Sequence, residues 1–361
     1  MKKILFVAAH RIDRSPSQRY RFEQYFPFFK ANGWDCHLSY LISEEDDKFF
    51  YKPGNFFKKI GVLIRSIKTR WKDLKKADDY DIIFIQREAF MLGSVYFEKQ
   101  FSKSKAKVIF DFDDAIWFMD VSEGNKKFKF LKNPEKTEKI ISLSDIVFAG
   151  NQYLANYAKK KNANVIIIPT TIDTEKHKRS MPYAGNEKIC IGWSGSITTI
   201  KHFEYAIPIL RKIKKKYGDK VYFKVMGEPN YKNDELNIQG IPWTSATEVD
   251  VLSSFDIGIM PLPDDEWAKG KCGLKGLSYM ALEIPTILSP VGVNTEIIQD
   301  GVNGFLATDE EEWIEKLSLL IESEELRKNL GIKARKTVIE RYSIESQKEV
   351  YIKHFQQLTN K

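Results

Sequence analysis

The chain alternates short, nearly continuous apolar runs with longer amphipathic or polar stretches, the pattern of buried parallel strands separated by helices. KKILFVAA opens the series and passes into a polar loop, then a helix-like stretch from Ser17 to Asn32 closed by Gly33. DCHLSYL, DIIFIQ, KVIFDF, DIVFAG and NVIIIP follow, with the helix-like KTEKIISLS before DIVFAG and QYLANYAKKKN after it. A polar stretch, TEKHKRSMPYAGNEK, breaks the rhythm around residues 174 to 188, with Pro182 and Gly185 as breakers. The pattern then restarts with KICIGW, the helix-like HFEYAIPILRKIKKKYG, VYFKVMG, DIGIMPL, the helix-like GLSYMALE, PTILSP and GFLAT, before a helical C-terminus. This predicts two tandem doubly wound α/β domains, residues 1–180 and 181–340, with a last helix over 341–361. Ligands of such sheets gather at the carboxyl ends of the strands, so the loops after Ala9, Phe112, Ala149, Trp193, Met226 and Leu262 are expected to border a shared cleft.

Composition narrows the class. In 361 residues, 43% hydrophobic and 29% charged positions exclude a disordered tail or a small disulfide scaffold. Cys36, Cys190 and Cys272 lie far apart with no CxxC pair, which favours a reducing, cytoplasmic setting and no structural zinc. No apolar run approaches bilayer length, and MKKILFVAAHRIDR turns charged too early for a signal peptide. The formal charge of +8 fits phosphate-bearing partners, although the basic residues form no RNA-recognition or zinc motif that would point to nucleic acid.

Residues 48 to 76 interleave Phe49, Phe50, Tyr51, Phe56, Phe57, Ile60, Leu63, Ile64 and Trp71 with ten lysines and arginines. Two readings stand: a basic helix packed on the first domain with its charges in water, or an interfacial helix meeting anionic lipid.

The most informative segment is PLPDDEWAKGKCGLKGLSYMALEIPTILSPVGVNTEIIQDGVNGFLA, residues 261 to 307. Gly270 and Gly273 let backbone amides approach a ligand, the helix start near Gly273 favours an anion, and Lys271 and Lys275 add positive charge, a combination suited to a diphosphate. The alternative is a shaped turn with solvated lysines. Gly195 and Ser196 after the KICIGW strand offer amide and hydroxyl donors, with Lys201 either reaching the same phosphate or solvated; the arrangement is not GxGxxG, which argues against a dehydrogenase.

The run SYMALEIPTILSPVGVNTEIIQDGVNGFL resembles the donor-binding region of family 4 glycosyltransferases. SDIVFAGNQYLANYAKKKNANVIIIPTTIDTEKH and KICIGWSGSITTIKHFEYAIPIL extend the likeness over most of residues 140 to 310. The resemblance implies the GT-B architecture of two Rossmann-like domains with a C-terminal helix crossing back to the first. It further implies a retaining, metal-independent transferase using a nucleoside diphosphate sugar, a glycan or lipid-linked acceptor, and a place in cell-surface polysaccharide assembly. No cofactor is expected. Relatives carry two glutamates in a segment like EGFGxxxxEAMA; here Gly270 and Ser278 stand at those positions, leaving Glu266 or Asp265, and the Ser278 hydroxyl, as substitutes. Lys275 ranks above Lys271 as the diphosphate ligand, and Gly292, Val293, Asn294, Thr295 and Glu296 are implied neighbours of the donor. Where many relatives have an arginine after the glycine, this chain has Ser196.

In the first domain, Asp113 and Asp114 of VIFDFDDAIW are assigned to positioning or deprotonating an acceptor hydroxyl, with metal binding and structural capping as alternatives. Ser17, Arg19 and Arg21 follow the first strand as acceptor-side candidates; one arginine is expected to face the cleft and the other to pair with a carboxylate such as Glu23. His10 is either active at the strand end or a structural hydrogen-bonder. The missing glutamate pair leaves two other outcomes open: a GT-B epimerase or hydrolase, or a non-catalytic sugar-nucleotide or glycan-binding protein.

Overall fold

The computed structural model describes residues 1–118, 133, 135–179 and 187–360. They form two units, Met1–Thr170 with Gln347–Lys361, and Thr171–Ser346. The breakers Pro182 and Gly185 lie outside the described residues.

The first unit is a six-stranded, all-parallel sheet: β1 (Lys2–Val7), β2 (Trp34–Ser39), β3 (Ile82–Gln86), β4 (Lys107–Phe112), β5 (Ile146–Ala149) and β6 (Val165–Ile167), in the order β2-β1-β3-β4-β5-β6. Every residue of β3 and β5 is buried, as a central strand covered on both faces demands, whereas the edge strands β2 and β6 are mostly half-exposed. Phe6 of β1 packs against Phe22, Phe26, Phe29 and Phe84 with ring centroids 4.9 to 6.3 Å apart. The helix-like stretch after β1 is broken into Pro16–Arg21, a 3-10 turn Glu23–Tyr25 and Phe26–Ala31, because Phe22 departs from helical geometry and Pro27 restarts the helix.

A buried ion pair joins these layers. Arg21 is wholly buried and pairs with the wholly buried Asp111 at the end of β4, its Nε lying 3.2 Å from both carboxylate oxygens and its Nη2 donating to one of them, while Nη1 donates to the Ile168 carbonyl. The Tyr351 hydroxyl, on the helix Ile344–Thr359, donates to the Arg21 carbonyl. That helix segment belongs to the first unit through Tyr351 and Phe355, whose rings meet Tyr25, Phe29 and Trp34 at 4.7 to 5.5 Å. The chain end therefore returns to the unit in which it began.

The second unit holds β7 (Ile189–Ser194), β8 (Val221–Met226), β9 (Lys232–Asn233), β10 (Ile238–Ile241), β11 (Ile257–Met260), β12 (Thr286–Leu288) and β13 (Phe305–Leu306), in the order β13-β12-β11-β7-β8-β10-β9. All pairs are parallel except β9 with β10, an edge hairpin too short to register as an apolar run. Residues 174 to 177, expected in the first domain, are held in this unit by Arg335, which donates to the carbonyls of Thr174 (2.9 Å) and His177 (2.8 Å).

Removing one half of a buried ion pair strands the other charge, at a cost of about 3–5 kcal/mol. Arg21→Leu is therefore expected to lower the urea midpoint of the first unit by that equivalent, while Arg21→Leu with Asp111→Leu recovers most of the loss. A single substitution within about 1 kcal/mol of wild type would show the pair to be dispensable.

Candidate functional site

Each sheet reverses its strand order once, between β1 and β3 in the first unit and between β7 and β11 in the second. At such a point adjacent crossovers run to opposite faces, leaving a crevice at the carboxyl ends of the strands. The chemistry-bearing residues of each unit collect there.

In the second unit the loop after β7 and the loop after β11 meet over an indole. Lys201, at the start of the loop's short helix Ile200–Phe203, places its ammonium 4.3 Å from the Trp267 ring centroid, and Lys271 places its own 3.7 Å from the same ring. Lys275, in the first turn of Leu274–Ala281, lies 4.7 Å from the Trp193 ring. Trp267 is carried by Glu266–Lys269, whose start Asp265 caps by accepting from the Ala268 amide at 2.7 Å. Two glycines make the close approach possible. A side chain on Gly227, at φ +111°, would occupy the space of the Gly195 carbonyl, and one on Gly273, at φ +70°, would meet Ile297.

Several buried polar atoms here have no hydrogen-bond partner: Trp193 Nε1, both ring nitrogens of His202, and Asn294 Oδ1. Buried polar groups are ordinarily satisfied, so their concentration beside three lysines marks a place built for a polar ligand. His202 is 1% exposed, its ring 5.5 Å from that of Trp267. Burial, followed by repulsion from Lys275, Lys271 and Lys201, and only weakly opposed by Asp265, pushes its pKa down to about 4.

The structure sorts the expected donor residues. Lys201, Lys271 and Lys275 come together, with Gly195 and Gly273 shaping the approach. Gly292 (φ +55°) packs against the Lys269 backbone, and Asn294 turns its amide nitrogen to the Ser289 carbonyl at 2.9 Å. Val293 is buried, whereas Thr295 and Glu296 are exposed, with Thr295 Oγ1 donating to the Gly292 carbonyl at 3.0 Å. Ser196 closes its own turn, its amide donating to Thr199 Oγ1 at 2.9 Å. Two expectations change. Ser278 is buried and its hydroxyl donates to the Leu274 carbonyl at 2.9 Å, so it is spent on its own helix; Glu266 lies at the surface with Lys269 at 2.8 Å. Neither restores the missing carboxylates. Trp267 and His202 escaped the sequence reading, although both fall in the segments that drew attention.

In the first unit, Asp113 accepts from Ser17 Oγ at 2.7 Å and from Arg87 at 2.8 Å, and Gln86 donates to Ser17 Oγ at 2.6 Å. Burial would raise the Asp113 carboxyl, but Arg87, Arg21 and the Ser17 hydrogen bond outweigh it and hold the group below the usual range, ionised at neutral pH. Asp114 accepts from the Ala115 amide at 3.0 Å and lies 4.0 Å from Arg87. Arg87 was not anticipated; it directly follows β3, at φ +62°, and the only signal was its position after DIIFIQ. Arg19 pairs with Asp13 at 2.7 Å. Arg21, expected as an acceptor ligand or a partner of Glu23, is consumed by Asp111 in the core and presents nothing to a ligand. His10 bonds the Tyr51 hydroxyl at 2.6 Å, and burial together with Arg14 lowers its pKa to about 4. The three carboxylates of the DFDD run thus face guanidinium groups, an environment that competes with a divalent cation.

Residues 188–323 match the family model described as Glycosyl transferases group 1. A glycosyltransferase from Rickettsia africae ESF-5 superposes over 99% of this chain and 98% of its own, with a TM-score of 0.69 at 14% identity. The sucrose-phosphate synthase of Thermosynechococcus elongatus gives 0.72 at 11% identity, covering 99% of both chains. HepE of Anabaena, in a structure with UDP-glucose, gives 0.68 at 12% identity over 99% of this chain and 100% of that one. No curated protein matches by sequence.

Because the folded pKa of His202 lies below its ordinary 6.5, its contribution to stability is complete above pH 6.5 and is lost as pH falls through about 4. The shift corresponds to about 3 kcal/mol. His202→Gln should flatten that part of the pH–stability curve relative to wild type in urea titrations between these limits; parallel curves would mean the imidazole titrates normally.

Proposed function

We propose that this chain, a GT-B protein whose residues 188–323 are of the group 1 glycosyl transferase family, moves a sugar from a nucleoside diphosphate donor to a hydroxyl on a glycan or lipid-linked acceptor. The observation that carries the reading is the convergence of Lys201, Lys271 and Lys275 at the β7/β11 reversal, beside buried polar atoms that lack partners. A departing diphosphate concentrates negative charge where three fixed cations stand, and charge stabilisation of that kind is the main demand of the reaction. With the cations supplied by the chain, the proposal includes turnover without a divalent metal.

On the acceptor side, Asp113 and Asp114 would hold the hydroxyl, Arg87 fixing the position and charge of Asp113. A carboxylate held below its usual pKa is a weak proton acceptor but a firm hydrogen-bond acceptor, which favours orientation over deprotonation. Retention of anomeric configuration and a place in cell-surface polysaccharide assembly belong to the proposal through the family likeness. UDP is the first nucleotide to try, since HepE was crystallised with UDP-glucose. The unreplaced carboxylates at positions 270 and 278 favour one rival, a protein that binds donor without transferring it.

The test begins with thermal stability against uridine, guanosine, adenosine and cytidine diphosphates and their sugar conjugates, with and without Mg²⁺. A ligand at 100 times its Kd adds about 2.7 kcal/mol, enough for a shift of several degrees. The proposal expects a metal-independent shift with one nucleotide, weakened about tenfold in affinity by Lys201→Ala or Lys271→Ala. Lys275→Ala and Asp114→Asn should each lower turnover at least tenfold; binding without any transfer establishes the rival, and no shift with any nucleotide removes the donor site altogether.

A further inference from the structure

The helix Phe56–Lys75 is amphipathic in an inverted sense. It docks on the first unit through a largely polar face, Lys59, Val62, Ser66 and Arg70, all buried. Arg70 is the anchor: wholly buried, it donates to the carbonyls of Ala8 (2.8 Å) and Ala89 (2.5 Å), to Ser39 Oγ (2.7 Å), and pairs with Asp73 (2.8 Å). Lys59 donates to the Lys52 carbonyl at 2.7 Å. The helix is thus fastened largely by hydrogen bonds, with Val62 its only buried apolar side chain and most of its hydrophobic residues left outside.

Those residues are ordered. Phe57, Ile60, Ile64, Ile67 and Trp71 recur at intervals of three and four, so they form one stripe. Phe57 is 86% exposed and the other four lie between 37% and 50%. At about 100° per residue the stripe sits roughly 130° around the helix from the docked face. Phe56 borders it, and Trp71 meets the exposed Tyr96 ring at 5.6 Å in a tilted contact, widening the surface with a second amphipathic ring. Next to the stripe Lys68, Lys72 and Lys75 form an exposed cationic row, continued toward the docked face by the exposed Lys58, whose ammonium lies 5.6 Å from the Phe49 ring. The helix has one acidic residue, Asp73, and it is turned inward to Arg70 and Ser39.

We infer that this helix lies in the plane of an anionic membrane surface, with Phe57, Ile60, Ile64, Ile67 and Trp71 in the headgroup–acyl boundary and the four lysines on lipid phosphates. Charge complementarity selects this occupant. A second copy docked along the same stripe would bring two lysine rows together with no free carboxylate on either helix to meet them. No helix of the described residues is long and apolar enough to cross a bilayer, so the contact is peripheral. Each lysine near an anionic surface strengthens binding by about fivefold, and a large apolar stripe supplies the rest. The inference stands on the first unit alone and does not depend on what the second unit binds.

The full chain should sediment with vesicles of phosphatidylcholine containing one-third phosphatidylglycerol and far less with phosphatidylcholine alone, and high salt should weaken the binding. Phe57→Ser/Ile64→Ser/Trp71→Ser and, separately, Lys58→Glu/Lys68→Glu/Lys72→Glu should each lower the partition coefficient at least about tenfold. None of the six side chains is buried, although Trp71 also touches Tyr96 and Phe97, so both variants should stay folded, with the wild-type far-UV circular dichroism spectrum at the assay temperature, which separates lost contact from lost fold. Failure to sediment with anionic vesicles, or sedimentation that neither variant reduces, overturns the inference. A lipid-free dimer in sedimentation velocity that the serine variant converts to monomer also overturns it, assigning the stripe to a second copy.

Discussion

The first unit is organised around a charge that water cannot reach. Asp111 ends the central strand β4 with no exposure, and Arg21 descends from the helix after β1 to meet it, equally buried. An unpaired carboxylate at that depth would be untenable, so the position of the post-β1 helix is dictated by where the guanidinium must sit. The consequences spread outward. The Ile168 carbonyl after β6 and the Tyr351 hydroxyl of the returning C-terminal helix are both bonded to Arg21, so the sheet, its first helix and the chain end share one anchor. Two residues on, Asp113 leaves the core and is held by Ser17 and Arg87. The same short run thus supplies a structural carboxylate and a presentable one.

The second unit uses charge in the opposite way. Lys201, Lys271 and Lys275 each lie against an indole ring, two of them against the same one. Burial, reinforced by the charge of these lysines, holds the His202 pKa down at about 4. An anion bound beside these lysines, such as the diphosphate proposed above, would meet three ammonium groups at once. The family match over residues 188–323 falls on this unit.

Much of this was legible beforehand. All six strands of the first sheet, and all but the short β9–β10 hairpin of the second, coincide with apolar runs, because a strand buried on both faces has no polar side to blur the signal. The lysine-bearing loops were legible too, since glycine and lysine stand next to one another in sequence. Pairings between distant segments were not. Arg21 and Asp111 are 90 positions apart, and nothing local distinguishes an arginine destined for the core from Arg19 two residues earlier, which ends at the surface with Asp13. Ser278 reads as a free hydroxyl until the helix around it is seen to bury it.

By itself the sequence determined the class of fold, two parallel α/β sheets, and the neighbourhood of the basic loops, because periodicity and loop chemistry are local properties. It also held the aromatic and basic composition of residues 48 to 76. Only the tertiary structure decided where the cations go: Arg21 and Arg70 were drawn inside by carboxylates and carbonyls contributed from remote strands, and Lys201, Lys271 and Lys275 were brought together across separate loops. It decided equally that the helix Phe56–Lys75 turns its polar side inward, since the partners that satisfy Arg70 are carbonyls and a hydroxyl that no helical wheel contains.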